Sequence, residues 1–339
     1  MLLCPVILPI GQIALFCACQ DFSGTGILST MKRIYFLIAL LLSCTVSPSL
    51  GWGDRGHQYV NSLAIDLLPN SIKPFYEENR AWVVTHSIDP DLWKREYRIE
   101  APKHFIDLDT WGNEIAQNYP SDYWLACGLL GKAAVDKNGT VPWRIAEYYG
   151  KLVNAFRKRD ARGVVEISAW LGHYVGDIHV PFHAAANYDG QLSGQKGLHV
   201  RFETEMLNRQ ITPDDLKQNL TTRKPVRNYK SKNLVEEAFG WARESLRLTT
   251  PILDADKSAA QGGKNYDDAY YQAFGAKTRS IALSRLQEAG RQLSWLWVSA
   301  WQEAGSPALT ALDTHAGEPL SAPTHDPDMV EPTPRTRRP

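Results

Sequence analysis

Between Trp170 and Glu205 the chain reads W-L-G-H-Y-V-G-D-I-H-V-P-F-H, a Gly-rich gap, then G-L-H-V-R-F-E-T-E. This stretch holds His173, His179, His183 and His199, four of the nine histidines, together with Asp177 and Glu203. On a helix, residues four apart leave the same face one turn apart, so His173 and Asp177 would project side by side. His199 and Glu203 repeat that spacing on a second segment. A lone histidine on an apolar helix is ordinarily a satisfied core residue. Two His/carboxylate pairs with His183 between them make that reading poor for the set. Imidazole and carboxylate together suit zinc, and the stretch reads as the floor of a metal cluster.

The elements that must position these groups read as helices. V-N-S-L-A-I-D-L-L, A-E-Y-Y-G-K-L-V-N-A-F-R-K-R, residues 164–178, N-L-V-E-E-A-F-G-W-A-R-E-S-L and the run from Arg279 to Trp301 place apolar residues at i, i+3, i+4 and i+7. No segment sustains period-2 alternation between hairpin turns. The expected class is all-α. Residues 52–304 are read as one domain, since about 250 residues can bury a sizeable core.

Residues 1–51 read as leader. Met31-Lys32-Arg33 precedes the apolar run I-Y-F-L-I-A-L-L-L, and small residues at Ser49 and Gly51 suit cleavage before Trp52. Residues 1–30 would then be a misassigned start, and the mature protein secreted or periplasmic. Lipoprotein processing at Cys44 is the lesser alternative. Four of the five cysteines fall in this leader, leaving only Cys127 in the mature chain, so no internal disulfide is expected. A multi-metal site could supply the missing cross-links. Charge balances at 37 basic and 37 acidic residues, with no long basic run of the kind that marks a duplex-DNA binder. The Pro-rich segment 305–339, with His315 and His325, reads as a disordered tail.

Further ligand candidates lie upstream. Trp52-Gly53-Asp54-Arg55-Gly56-His57 would open the mature chain, where a free α-amine loses its proton to a metal readily and His57 stands close in sequence. His86-Ser87-Ile88-Asp89-Pro90-Asp91-Leu92-Trp93-Lys94 is followed by Lys103-His104-Phe105-Ile106-Asp107. D-P-D is also a common turn and helix-cap sequence, and His86 has no fixed place in the scheme.

In order, these segments resemble the motifs of the zinc-dependent S1/P1-type nucleases and the related bacterial phospholipases C. Those motifs are an N-terminal Trp with a G-x-x-G-H-like segment, an Asp, H-F-x-D, H-x-x-x-D-x-x-x-x-x-H and H-x-x-x-D/E. The resemblance implies a single multi-helix phospholipase C/P1 nuclease-like domain holding three zinc ions. One ion would take Asp91 or Asp89 with His104, His173 and Asp177. A second would take the amine and carbonyl of Trp52 with His57 and Asp177, which would bridge the pair. The third would take His183, His199 and Glu203. D-L-W-K matches the nuclease D-x-x-R best through Asp91, whereas spacing to H-F-x-D favours Asp89. Asp107 would orient the attacking water, Lys94 would contact a phosphate oxygen, and His179 would act from behind the ligands. Glu203 stands where nucleases usually carry Asp and phospholipases C carry Glu, although H-V-R-F-E-T-E-M otherwise resembles the nuclease H-x-x-W-D-T-E-M. The implied substrate is single-stranded nucleic acid or, alternatively, phospholipid, hydrolysed at a phosphodiester by a monomer. A non-catalytic zinc-binding helical protein is the remaining reading.

Overall fold

The structure is a computed structural model that describes residues 52–218, 220, 227–263 and 265–309. The leader 1–51 and the tail from residue 310 lie outside the described residues. Every described element is helical, as the periodicity requires, and no strand occurs among them. The principal helices are α1 (Gly53–Asp66), α2 (Asp89–Glu96), α3 (Tyr123–Leu130), α4 (Val141–Lys158) and α5 (Ala161–Ile178). They continue with α6 (198–210), α7 (Leu234–Arg247), α8 (Thr249–Ala260) and α9 (Asp268–Glu303). Shorter helical turns join them.

Helices α4 and α5 form a tight antiparallel hairpin. Arg159 ends α4 in the left-handed conformation (φ 58°), and Asp160 caps α5 by accepting from Gly163 N at 2.9 Å. Helix α9, 36 residues and about 54 Å long, packs across α1, α4, α5 and α8 as the spine of the core. Its N-cap, Asp267, accepts from Tyr270 N at 3.0 Å. No described helix is long and apolar enough to cross a membrane.

Helix α5 runs through the middle and is buried along nearly its whole length. Its glycines fix the approach of α1. A Cβ on Gly172 would stand 1.8 Å from Asn61 Oδ1, and one on Gly176 would stand 2.9 Å from His57 Nδ1. Only bare backbone at those two positions lets α1 lie close enough for its histidine to reach the face that carries His173 and Asp177.

Candidate metal centre

Five short or medium elements converge on α5. Helix α1 brings His57, whose ring stacks on His173 at 3.9 Å between centroids. Helix α2 brings Asp91. A single helical turn, Ala101–His104, brings His104, and another, Pro181–Ala184, brings His183. These two turns brace each other: Ile106 N donates to His183 O at 2.8 Å, and His183 Nδ1 donates to His104 O at 2.6 Å. Helix α6 brings His199 and Glu203. Its middle, Arg201–Met206, is a wide π-type turn, and Glu203 lies within it.

The side chains gather into three groups whose ligand-type atoms lie within 4.8 Å of one another: His57, His173 and Asp177; Asp91, His104 and His173; and His183, His199 and Glu203. All eight are buried. Asp177 sits at the centre. Its Oδ2 is 2.8 Å from His104 Nδ1 and 3.2 Å from His173 Nε2, while Oδ1 is 3.6 Å from His57 Nε2 and 3.4 Å from His183 Nδ1. The third group is closed by His199 Nε2 and Glu203 Oε2 at 3.0 Å.

Proton bookkeeping shows that these groups fit a cation. His173 Nδ1 donates to Ser87 O at 2.8 Å and His199 Nδ1 to Tyr188 O at 3.0 Å. His173 thus turns Nε2 toward Asp177 and His104 Nδ1, the latter 3.1 Å away, while His199 turns a bare Nε2 lone pair toward Glu203, acceptor against acceptor. A proton on either group or a metal ion between them makes that contact favourable. Burial pushes both imidazoles down, but Asp177 beside His173 and Glu203 beside His199 more than reverse it and hold both above the ordinary value. Several further ligand-type atoms are buried without a hydrogen-bond partner: both ring nitrogens of His57, Oδ1 of Asp177 and both oxygens of Glu203. Burial pushes Glu203 up to about 7 and, with His173 nearby, His57 down to about 3. Such unpaired groups are costly in a sealed interior, and ion coordination would satisfy them together.

Above the groups lies a cavity of about 400 Å³, lined by Lys94, His104, Phe105, Asp107, His183 and Tyr188 among others. Lys94 Nζ donates to Asp91 Oδ1 at 2.6 Å. Burial first, then Asp109, push the Asp107 carboxyl up to about 7.

The profile of the S1/P1 nuclease family matches residues 52–297, most of the chain and all of the clustered residues. The chain belongs to the S1/P1 nuclease family. Endonuclease 3 of Arabidopsis thaliana is 24% identical over 189 residues, covering 54% of this chain and 60% of that protein. Endonuclease 4 of Arabidopsis thaliana is 26% identical over 174 residues, covering 46% and 52%. The chain thus spans between half and three-fifths of the length of these curated relatives. Among solved structures, the alpha toxin from Clostridium absonum is similar over 75% of this chain and 64% of the toxin, with a TM-score of 0.44 and 19% identity.

Within this member of the S1/P1 family, the residues singled out from the sequence separate into three sets. Asp91 lies among the histidines, 3.6 Å from His104 and 3.7 Å from His173. Asp89, two residues earlier on the same helix, is turned away: its carboxylate accepts from Trp170 Nε1 at 3.1 Å and lies 3.2 Å from His86 Nδ1. That pairing also gives His86 its partner. Trp52 is fully buried, its Nε1 donating at 3.0 Å to the carbonyl of Gly176, the residue before Asp177. His179 belongs to none of the three groups. It packs against Trp241 and donates to Val175 O at 2.7 Å.

Sequence reasoning missed Glu100. Buried completely, its carboxylate lies 3.6 Å from His104 Nε2, the nitrogen facing away from the groups. Tyr174 donates to the same carboxylate, Lys103 bonds it at 2.9 Å, and Arg144 lies 3.5 Å away. Burial pushes Glu100 up, but His104, Arg144 and Lys103 outweigh it and hold the carboxyl at about 2. A carboxylate behind the imidazole fixes the ring and leaves Nδ1 facing Asp177 and Asp91.

Proposed function

We propose that this chain is an exported, zinc-dependent phosphodiester hydrolase acting as a single-strand endonuclease. The observation that carries the reading is the trio of sealed His/carboxylate groups, with bare lone pairs, directly beneath an open cavity in an S1/P1 family member. Asp91, His104, His173 and Asp177 would hold one ion, His57 and Asp177 with the Trp52 amine and carbonyl a second, and His183, His199 and Glu203 a third. Bound there, zinc would supply Lewis acidity, making water acidic near neutral pH and offsetting charge on phosphate oxygens.

The remaining roles belong to the chain. Asp107 orients the attacking water and takes its proton. Lys94 presents an ammonium to a phosphate oxygen. Phe105 and Tyr188, the latter 47% exposed, offer rings to an unpaired base. Export with cleavage before Trp52 would free the amine that the second site needs, and N-terminal sequencing of the processed protein checks it.

The test is single-stranded DNA and RNA cleavage by zinc-loaded protein with and without chelator, alongside Asp177→Asn. The variant is expected to lose bound zinc and more than about 100-fold in activity, since even residues behind metal ligands cost 10–100-fold. An Asp177→Asn protein with full zinc content and full activity would contradict the assignment.

A second reading, phospholipase C, is favoured by one surface feature. Helix α3 exposes Trp124 (71%), Leu125 (55%) and Leu129 (67%), an apolar face suited to a lipid surface. Chelator-sensitive hydrolysis of phosphatidylcholine with no nucleic-acid cleavage would establish it instead.

A further inference from the structure

A second, larger cavity of about 730 Å³ lies outside the metal centre, between the start of α4 and the Tyr123–Lys137 segment. The two cavities meet at Lys137, which lines both. The chain from Ala101 to Phe105 forms their common wall: Pro102 and Lys103 face the larger cavity, while Ala101, His104 and Phe105 face the smaller. A substrate seated over the metal groups and longer than a single residue would continue across Lys137 into it.

The lining is built for a particular chemistry. Four cations border the cavity, Arg98, Lys103, Lys137 and Arg144, against two carboxylates. Both carboxylates are already engaged. Asp136 accepts from Tyr123 Oη at 2.6 Å and from Lys132, and Glu147 pairs with Arg144 at 2.9 Å and with Lys151 at 3.1 Å. Arg98 and Lys137 are exposed, and their side chains make no hydrogen bond or ion pair with any described residue. Tyr123 and Trp143 add aromatic surface between these charges. Cations beside aromatic rings, in a groove that leads away from a phosphodiester-cleaving centre, match the alternating anion and planar base of an unpaired strand. An acyl chain would have no use for the uncompensated cations.

We propose that this cavity is an extension subsite for single-stranded polynucleotide. It holds a nucleotide flanking the scissile phosphate, with Arg98 and Lys137 on backbone phosphates and Tyr123 and Trp143 against a base. The proposal rests on the nuclease reading above. It makes the enzyme prefer long strands over dinucleotides through KM rather than kcat.

The experiment uses zinc-loaded protein processed to begin at Trp52, with Ala133→Trp to fill the cavity from an exposed position and Arg98→Ala to remove one cation from the surface. Cleavage of a 20-nucleotide single strand and of a dinucleotide is measured for each. Anisotropy of a fluorescent phosphorothioate 20-mer, resistant to cleavage, reads binding alone as salt is varied. The expected result is a KM for the 20-mer raised about tenfold in each variant, with dinucleotide kinetics within about twofold of the parent. The salt slope of binding should shrink by about 0.7 in Arg98→Ala, the loss of one phosphate contact on a single strand. Parent protein that cleaves the 20-mer, with both variants indistinguishable from it, overturns the subsite and leaves the nuclease reading standing. Parent protein inert on both nucleic acids, yet active on phosphatidylcholine vesicles, overturns both.

Discussion

Asp107 is the residue whose ionisation the proposed chemistry needs. Its carboxyl is pushed up to about 7, so the useful, charged form is populated only as pH rises toward and through that value. Cations held beneath it would favour the charged form and move the midpoint lower. Activity of the loaded protein is therefore expected to fall on the acid side with a midpoint at or below about 7. Asp107→Asn should lower kcat by 10²–10⁴-fold, roughly what a positioned proton acceptor contributes, and abolish that limb. A pH–rate profile of the variant that keeps the acid limb would assign it to another group. At this scale the sequence was informative but incomplete. Motif spacing found the eight clustered side chains, yet could not choose between Asp89 and Asp91, because helix phase alone does not say which carboxylate Trp170 and His86 will occupy. Glu100 escaped notice although E-A-P-K-H carries the same i, i+4 spacing as the pairs that were recognised. Its significance comes from Arg144 and Tyr174, far away in the chain.

The element that decides the geometry is the seam between α1 and α5. Gly176→Ala is expected to push the His57 ring off His173, since the new Cβ would fall 2.9 Å from Nδ1 and 3.3 Å from Cε1. Overpacking of this kind costs about 1–3 kcal/mol. Metal analysis of the purified variant should show fewer ions per chain than the parent, whereas unchanged stoichiometry would mean that α1 yields without disturbing its histidine. The helices themselves were legible from periodicity, because burying one face imposes a repeat of 3.6. The single turns that carry His104 and His183 were not, since three or four residues have no period. Nor was the π-type turn in α6, whose hydrogen bonding leaves no compositional mark.

For the whole molecule, an ion held by the clustered side chains would tie together segments from residues 57 to 203, where the described residues contain a single cysteine, Cys127. An ion that binds only the folded state stabilises it by about 4 kcal/mol at a thousandfold excess over its dissociation constant. For a domain of this size each kcal/mol moves Tm by about 2–4 °C. Chelation is thus expected to lower Tm by about 8–16 °C for even one such site, and readdition of zinc should restore it. A melting curve indifferent to chelator would show that the groups are satisfied without metal. The all-α class and the gathering of histidines and carboxylates could be read from sequence because each rests on local repeats. The larger cavity could not, since Arg98, Tyr123 and Trp143 come from three separate segments and share no motif.

The wide turn at Arg201–Met206 is, in effect, an insertion disguised within a continuous helix. Removing one residue there would restore ordinary winding and leave the helix beyond nearly in its present phase, because the wide turn already absorbs the extra residue. Met206 and Leu207, both fully buried at the far end of the turn, would keep their places in the core, and the change would fall on the residues inside it, Glu203 among them. A one-residue gap at this point in a comparison of homologues would therefore mark a lineage that kept the core end of the helix and changed how the carboxylate of the third group is presented.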